Sequence, residues 1–240
     1  MRSELVTPRI NQIIRERIKD GVYAPGSRLP SELTLANEFK VSRSTLRNAV
    51  NALVSEGIIL RKHGNGSFIN QHVIQFNFQL QNLWSFPQLI IESGMTPTVK
   101  YIDGFTRQST LAEENNLELG SPQMLYILQR LFLADNQPAI FSTNVFPASL
   151  FSDPIQTLDV QLSLYEMLFQ YCDLEPIYSV SELHSETPNR QVQDLLKMEP
   201  CSSVLYFKDV FYTKDSRPVV LGQNYYNDHV LTMRLVRSKA

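Results

Sequence analysis

Apolar side chains recur at helical spacing in three stretches near the start of the chain. Ile10, Ile13, Ile14 and Ile18 form the first. Pro8 opens it, since proline loses no hydrogen bond in the first turn of a helix, and Gly21 closes it before the Pro25-Gly26 turn. Leu33, Leu35, Ala36 and Phe39 follow Ser31 and predict a short helix that ends near Lys40. Leu46, Ala49, Val50 and Leu53 then fall at i, i+3, i+4 and i+7, one buried stripe behind a good N-cap at Ser42, and Gly57 ends it. Ser44, Arg47, Asn48 and Asn51 lie opposite the stripe, with Arg43 and Thr45 beside its start. Two short helices across a tight turn, the second opening with polar side chains, predict a helix-turn-helix. The period then changes. Ile58–Lys62 and Ser67–Ile69 are short β runs around His63-Gly64-Asn65-Gly66, which predicts a hairpin with Arg61, Lys62 and His63 at its tip. Such a hairpin suits a phosphate backbone or a minor groove.

A polar, glutamine- and asparagine-rich connector comes next, and from about Leu83 β-like and helical runs alternate. The expected division is a head at 1–70, a linker at 71–82 and a rear domain at 83–240. Shifted by 80 residues, the rear matches itself: Leu125-Tyr126 meets Leu205-Tyr206, Asp135 meets Asp215, Pro138 meets Pro218 and Asn144 meets Asn224. Each copy reads strand, Asp-x-x-Pro turn, strand, after a helical stretch near 110–117 or 188–197. Two hairpin units in one antiparallel sheet with helices packed on it make an α+β domain.

Strand alternation puts Arg130 on one face with Tyr126, Leu128 and Phe132. A guanidinium among apolar neighbours needs an anionic partner, from a ligand or from the protein. The 80-residue shift sets Val210 against Arg130, which implies that the fold itself requires no charge there. Ser163 and Tyr165 begin a predicted helix, Ser163–Tyr171, whose first amides suit a phosphate or carboxylate. A plain N-cap explains Ser163 equally well. Tyr226 fits a ligand contact or a packed core tyrosine.

Charge adds an asymmetry to this picture. Residues 1–70 hold eleven Lys and Arg against six Asp and Glu, and residues 71–240 hold eleven against eighteen. A basic front and an acidic rear suit a protein whose front alone meets a polyanion. No apolar run is long enough for a membrane span, the N-terminus lacks a signal-peptide core, and Cys172 and Cys201 are the only cysteines. This fits a reducing cytoplasm, at the nucleoid, with both cysteines structural. No catalytic signature, metal site or cofactor motif is found. His184 alternates with Glu182 and Glu186, as on a solvated edge strand, while His72 and His229 lack a ligand partner at metal-binding spacing.

Gly21–Tyr23, Pro25–Glu32, Val41–Arg47, Glu56–Ile59 and His63–Phe68 together resemble the signature of GntR-family regulators, over residues 7–69. The resemblance implies a winged head in which Arg28, Ser31, Ser42, Arg43, Ser44, Thr45, Arg47, Asn48, His63, Gly64 and Gly66 meet double-stranded operator DNA. Arg130–Asp135 with Pro138, Phe146-Pro147, Ser163–Tyr165, Pro218-Val219 and Tyr225–Asp228 resemble the UTRA effector domain of the HutC subfamily, over roughly 84–235. That domain has a chorismate-lyase-like fold but binds ligands without converting them. The resemblance implies a small-molecule effector held by Phe86, Arg130, Phe132, Ser142, Ser163, Tyr165 and Tyr226. Phe132 stands where phosphosugar binders have a second arginine, Ser142 and Val220 where they have glutamates, and Pro87 where a hydroxyl residue is expected. These departures imply a less polar pocket with one anionic anchor.

The expected protein is a homodimeric repressor on a near-palindromic operator, released by its effector and not an enzyme. Two other readings stay open at this point: a chorismate-lyase-like enzyme with a DNA-binding head, and an architectural DNA-binding dimer that senses nothing.

Overall fold

A computed structural model describes residues 6–72, 83–151 and 158–233 of the 240. The described residues fall into two compact units that divide between 72 and 83. Most of the expected linker lies outside them, as does the end of the rear domain.

The front unit has three helices, α1 (Val6–Lys19), α2 (Glu32–Glu38) and α3 (Arg43–Ser55), and a two-stranded wing, β1 (Ile59–Lys62) and β2 (Gly66–Ile69). Ile10, Ile14 and Ile18 of α1 meet Leu46, Ala49, Val50 and Leu53 of α3 in one core, which Leu35, Ile59 and Ile69 complete. Each such side chain contributes about 1.5–3 kcal/mol by leaving water. Ser31 and Ser42 cap α2 and α3 by accepting from the Thr34 and Thr45 amides. Between these helices Lys40 takes a left-handed conformation at φ 55°. The wing is widened by the segment before α2, where Leu29 N–H donates to Ser67 O and Ile69 N–H to Ser27 O.

The rear unit is one six-stranded antiparallel sheet in the order β3-β4-β5-β8-β7-β6. Its elements in chain order are α4 (Phe86–Glu92), β3 (Pro97–Gln108), α5 (Leu111–Leu117), β4 (Met124–Ala134), β5 (Gln137–Pro147), α6 (Leu164–Cys172), β6 (Tyr178–Glu186), α7 (Arg190–Leu196), β7 (Val204–Tyr212) and β8 (Pro218–Tyr226). The repeat is therefore larger than a hairpin: strand, helix, strand, strand, twice. Thr143 pairs with Gln223 where β5 meets β8, Ser142 with Asn224 and Asn144 with Gly222. An approximate two-fold axis thus passes between Thr143 and Gln223, and the copies meet across it. Leu117 of α5 packs with Leu221 of β8, and Val192 and Leu196 of α7 pack with Phe141 of β5, so each copy's helix covers the other copy's inner strand. The opposite sheet face packs against Met167 and Leu168 of α6.

The register corrects the simple 80-residue shift. It holds for β5 and β8 but not for β4 and β7. Arg130 pairs with Ser142, and the residue that pairs with Gly222, the counterpart of Ser142, is Asp209. The cause is one extra residue in the second hairpin turn. Leu133 pairs with Pro138 across the first turn, whereas Tyr212 pairs with Pro218 across the second. The first turn is a tight two-residue one, with Asp135 and Asn136 both at positive φ. Val210 belongs to the other sheet face, so Arg130 is matched by a buried charge rather than by an apolar residue.

Candidate operator and effector sites

In the head, the capping hydroxyl of Ser42 also hydrogen-bonds Ser44 at 2.8 Å and Thr45 at 2.7 Å. Arg43, Ser44, Arg47 and Asn48 are exposed along α3. Arg47 Nε donates to one Glu32 oxygen at 3.1 Å and Arg61 Nη2 to the other at 3.2 Å, so one carboxylate ties the helix to the wing. Both arginines are largely exposed, and such pairs are worth only about 0–1 kcal/mol, so a DNA phosphate or base can compete for them. Arg28 lies against Gly66, where an added Cβ would sit 3.1 Å from Nε and where φ is +95°. Glycine is the residue that allows both the conformation and the contact. Arg28, Ser31, Glu32, Arg61, His63 and Gly64 border an open hollow of about 560 Å³. Arg43, Ser44, Thr45 and Asn48 on α3, and its cap Ser42, are not among the walls of that hollow. Nothing in the local pattern marks Glu32, which directly follows the capping serine, as the partner of Arg47 and Arg61.

In the rear unit Arg130 is 1% exposed. Its Nη1 donates to the carbonyls of Leu162 at 2.6 Å and Val160 at 3.3 Å, and its Nη2 to Asn144 Oδ1 at 3.3 Å. Its Nε is buried without a hydrogen-bond partner, and the Phe132 ring lies 5.2 Å from the guanidinium carbon. Among the described residues no carboxylate comes within ion-pair distance of it. Burial pushes its pKa down to about 10, which still leaves a cation at neutral pH. The protein therefore supplies carbonyl dipoles here instead of an anion.

Asp209, the two-fold counterpart, is also buried and accepts hydrogen bonds from Asn224 Nδ2 at 2.6 Å and from the Ser181 hydroxyl. Burial raises its pKa while those two bonds oppose the rise. Ser142 Oγ donates to Asn224 Oδ1 at 2.7 Å and lies 3.5 Å from Asn144 Oδ1. Each buried charge thus holds the asparagine of its own copy, and Ser142 joins the two halves. The sequence signal for this chain was the Asn144–Asn224 match; Asp209 was hidden by the one-residue shift.

The other expected effector residues gather on the same sheet face. Phe86, the first residue of α4, meets Phe132 at 5.0 Å and Tyr226 at 6.0 Å between ring centres. Tyr226 is wholly buried, which raises its pKa. Tyr165 packs edge-on to Phe211 at 6.3 Å, and burial raises its pKa too. Ser163 caps α6 in a full capping box, in which Glu166 N–H donates to its hydroxyl and its own N–H donates to the Glu166 carboxylate. Those groups are committed within the protein, so the plain N-cap role is the one seen. The helix runs Leu164–Cys172, one residue later than expected.

Comparison with known proteins fits this geometry. Residues 7–69 match the model for bacterial regulatory proteins of the gntR family, and residues 92–230 match the UTRA domain. The chain belongs to the UTRA-domain family and carries a gntR-family head. The HTH-type transcriptional repressor NagR of Bacillus subtilis is 28% identical over 206 residues, 86% of this chain and 84% of that one. The HTH-type transcriptional regulator GgaR of Escherichia coli K12 is 25% identical over 210 residues, 87% and 81% of the two chains. The crystal structure of the possible transcriptional regulator YydK of Bacillus subtilis superposes with a TM-score of 0.75 at 21% identity, covering 96% of this chain and 99% of that one. This UTRA protein is a DNA-binding transcription regulator controlled by a ligand. Among the described residues no helix is long and apolar enough to cross a membrane, and no cluster of His, Cys, Asp and Glu could hold a metal.

Proposed function

We propose that the chain is a homodimeric cytoplasmic repressor without enzymatic activity, whose effector places an anionic group at Arg130. The observation that carries this reading is a buried cation held by two backbone carbonyls, with one nitrogen unpartnered. A carboxylate or phosphate is a stronger partner for a guanidinium than a carbonyl dipole. An incoming anion would displace Val160 and Leu162, and so move the segment that leads into α6. Phe132, Ser142 and the rings of Phe86, Tyr165 and Tyr226 would surround the rest of the ligand, a less polar site than two arginines would make. Only a ligand that favours one state over the other can switch the protein.

In the head, Arg43 and Arg47 would reach base edges in the major groove. Ser42, Ser44, Thr45 and Asn48 would fix the helix on phosphates, and Arg28, Ser31, His63, Gly64 and Gly66 would seat the wing. Two-fold pairing of chains through residues 84–235 would present two heads to half-sites about one helical turn apart. That NagR is named a repressor supports the sign.

The test is operator selection from genomic fragments with the full chain, followed by titration at fixed salt. Arg47→Ala is expected to weaken the selected operator about tenfold to a hundredfold relative to random DNA, the worth of a bidentate base contact. Undiminished selectivity of that variant would overturn the assignment of α3 as the recognition helix.

A further inference from the structure

The edge of the rear sheet carries a groove beside the segment that holds the guanidinium of Arg130. Tyr101 of β3 and Tyr126 of β4 each place a hydroxyl over Gly104. A Cβ at position 104 would lie 2.9 Å from the Tyr101 oxygen and 2.8 Å from the Tyr126 oxygen, so the missing side chain leaves room for both. Among the described residues neither hydroxyl hydrogen-bonds to protein. The Tyr126 ring is fixed from behind, stacked on Phe146 at 6.1 Å and edge-on to Phe151 at 5.8 Å, and burial raises its pKa. Tyr101 is 49% exposed and offers a ring face. The two hydroxyls open into a groove of about 420 Å³ whose other walls include Phe105, Leu158 and Val160. That size lies within the roughly 300–1,000 Å³ of small-molecule sites.

We propose that this groove binds an uncharged carbohydrate ring. No charged side chain lines it, and the two charges that reach Tyr126, those of Arg130 and Asp103, act on that tyrosine in opposite senses, so the groove holds no anchor for a phosphate or carboxylate. The two phenols can each donate to and accept from ring hydroxyls. The Tyr101 face and the side chains of Leu158 and Val160 suit the apolar C–H face of a sugar. Leaving both phenols unpaired makes sense at a place where water or a ligand completes them. Val160 also links the groove to the centre, since its carbonyl accepts from Arg130. A sugar seated against Val160 would therefore act on the segment that holds the buried guanidinium.

The experiment is saturation-transfer NMR and thermal unfolding of the full chain with methyl β-glucoside and lactose as uncharged probes, and glucose 6-phosphate as an anion on the same ring. Saturable binding of an uncharged probe is expected. Tyr101→Phe and Tyr126→Phe should each weaken it about two- to tenfold, the range for one lost hydrogen bond, with Tyr126→Phe leaving the fold intact because it removes only an unpaired oxygen. Gly104→Ala should abolish binding by driving a methyl between the hydroxyls. Failure of both uncharged probes to bind, binding of the phosphate alone, or binding indifferent to both tyrosine variants would overturn the proposal. The readout is ligand contact and not DNA release, so its failure leaves the repressor reading untouched.

Discussion

The two copies within the rear unit share a plan and differ in chemistry at the same point. Where the first places Arg130, the second places Asp209, both on the inner face and both tied to equivalent asparagines. The second charge is fully served by Asn224 and Ser181, while the first keeps a bare Nε and leans on carbonyls. One copy holds a charge whose partners are all within the protein, and the other a cation with one nitrogen unpartnered. The frame is common to both, and a few side chains at the axis set them apart.

The comparison breaks most sharply at the axis itself. Arg130→Ala and Asp209→Ala should each lower stability by about 2–4 kcal/mol, since each strands buried hydrogen-bonding groups and leaves a cavity. Val210→Ala, at the position that a plain 80-residue shift would match to Arg130, should cost about 1 kcal/mol or less because Val210 is only half-buried. Urea unfolding of the full chain measures all three, and equal costs for Val210 and Asp209 would refute the shifted register.

The paired helices offer a smaller contrast. α5 is capped by Thr110 with Glu113, whose carboxylate also takes Arg107 Nη1 at 2.8 Å and Nη2 at 2.6 Å. The Arg107 hydrogen bonds, with those of Thr110, hold the Glu113 pKa down to about 2, against the cost of burial. A depressed carboxylate contributes its stability in full above the ordinary pKa near 4.5 and loses it as pH falls toward 2. α7 is capped by Asn189, which does not titrate. Glu113→Gln should therefore flatten the stability curve between pH 4.5 and 2, by about 1–2 kcal/mol after allowing for the exposed Arg107. Asn189→Ser should shift the whole curve without changing its slope.

The smallest effect belongs to the turns. Ser216 holds φ 59° in the longer second turn, a conformation that costs a residue with a Cβ. Ser216→Gly should stabilise the protein by about 0.5 kcal/mol, relief of that strain outweighing the added chain entropy, and a lowered midpoint in thermal unfolding would refute this.

The head was far more legible than the rear, for reasons visible in particular residues. Its signals are local: Ser31 and Ser42 cap helices within three residues, and Leu46, Ala49, Val50 and Leu53 lie on one stripe of one helix. The pairing of Glu32 with Arg47 and Arg61 was not legible, because those positions meet only when wing and helices pack. In the rear, the repeat was readable but its frame was not. Pro138 and Pro218 align at 80 residues while Arg130 and Asp209 align at 79, and a single inserted turn residue leaves the hydrophobic pattern almost unchanged while exchanging the two faces of a strand. β3 escaped the reading altogether, since an edge strand with alternating half-exposed positions lacks a strong apolar run.

Local pattern alone is enough to read the class of protein: a basic helix-turn-helix with a wing, a repeated antiparallel unit, and an arginine among apolar residues of one strand face. Periodicity, capping and turn chemistry act over a few residues and are written directly in the chain. Packing settles which groups lie together: Arg130 with the carbonyls of Val160 and Leu162, Asp209 with Asn224, and the hydroxyls of Tyr101 and Tyr126 each over Gly104. Those contacts depend on strand register and on segments 15 to 32 residues apart, and register is set by the packing of the whole sheet.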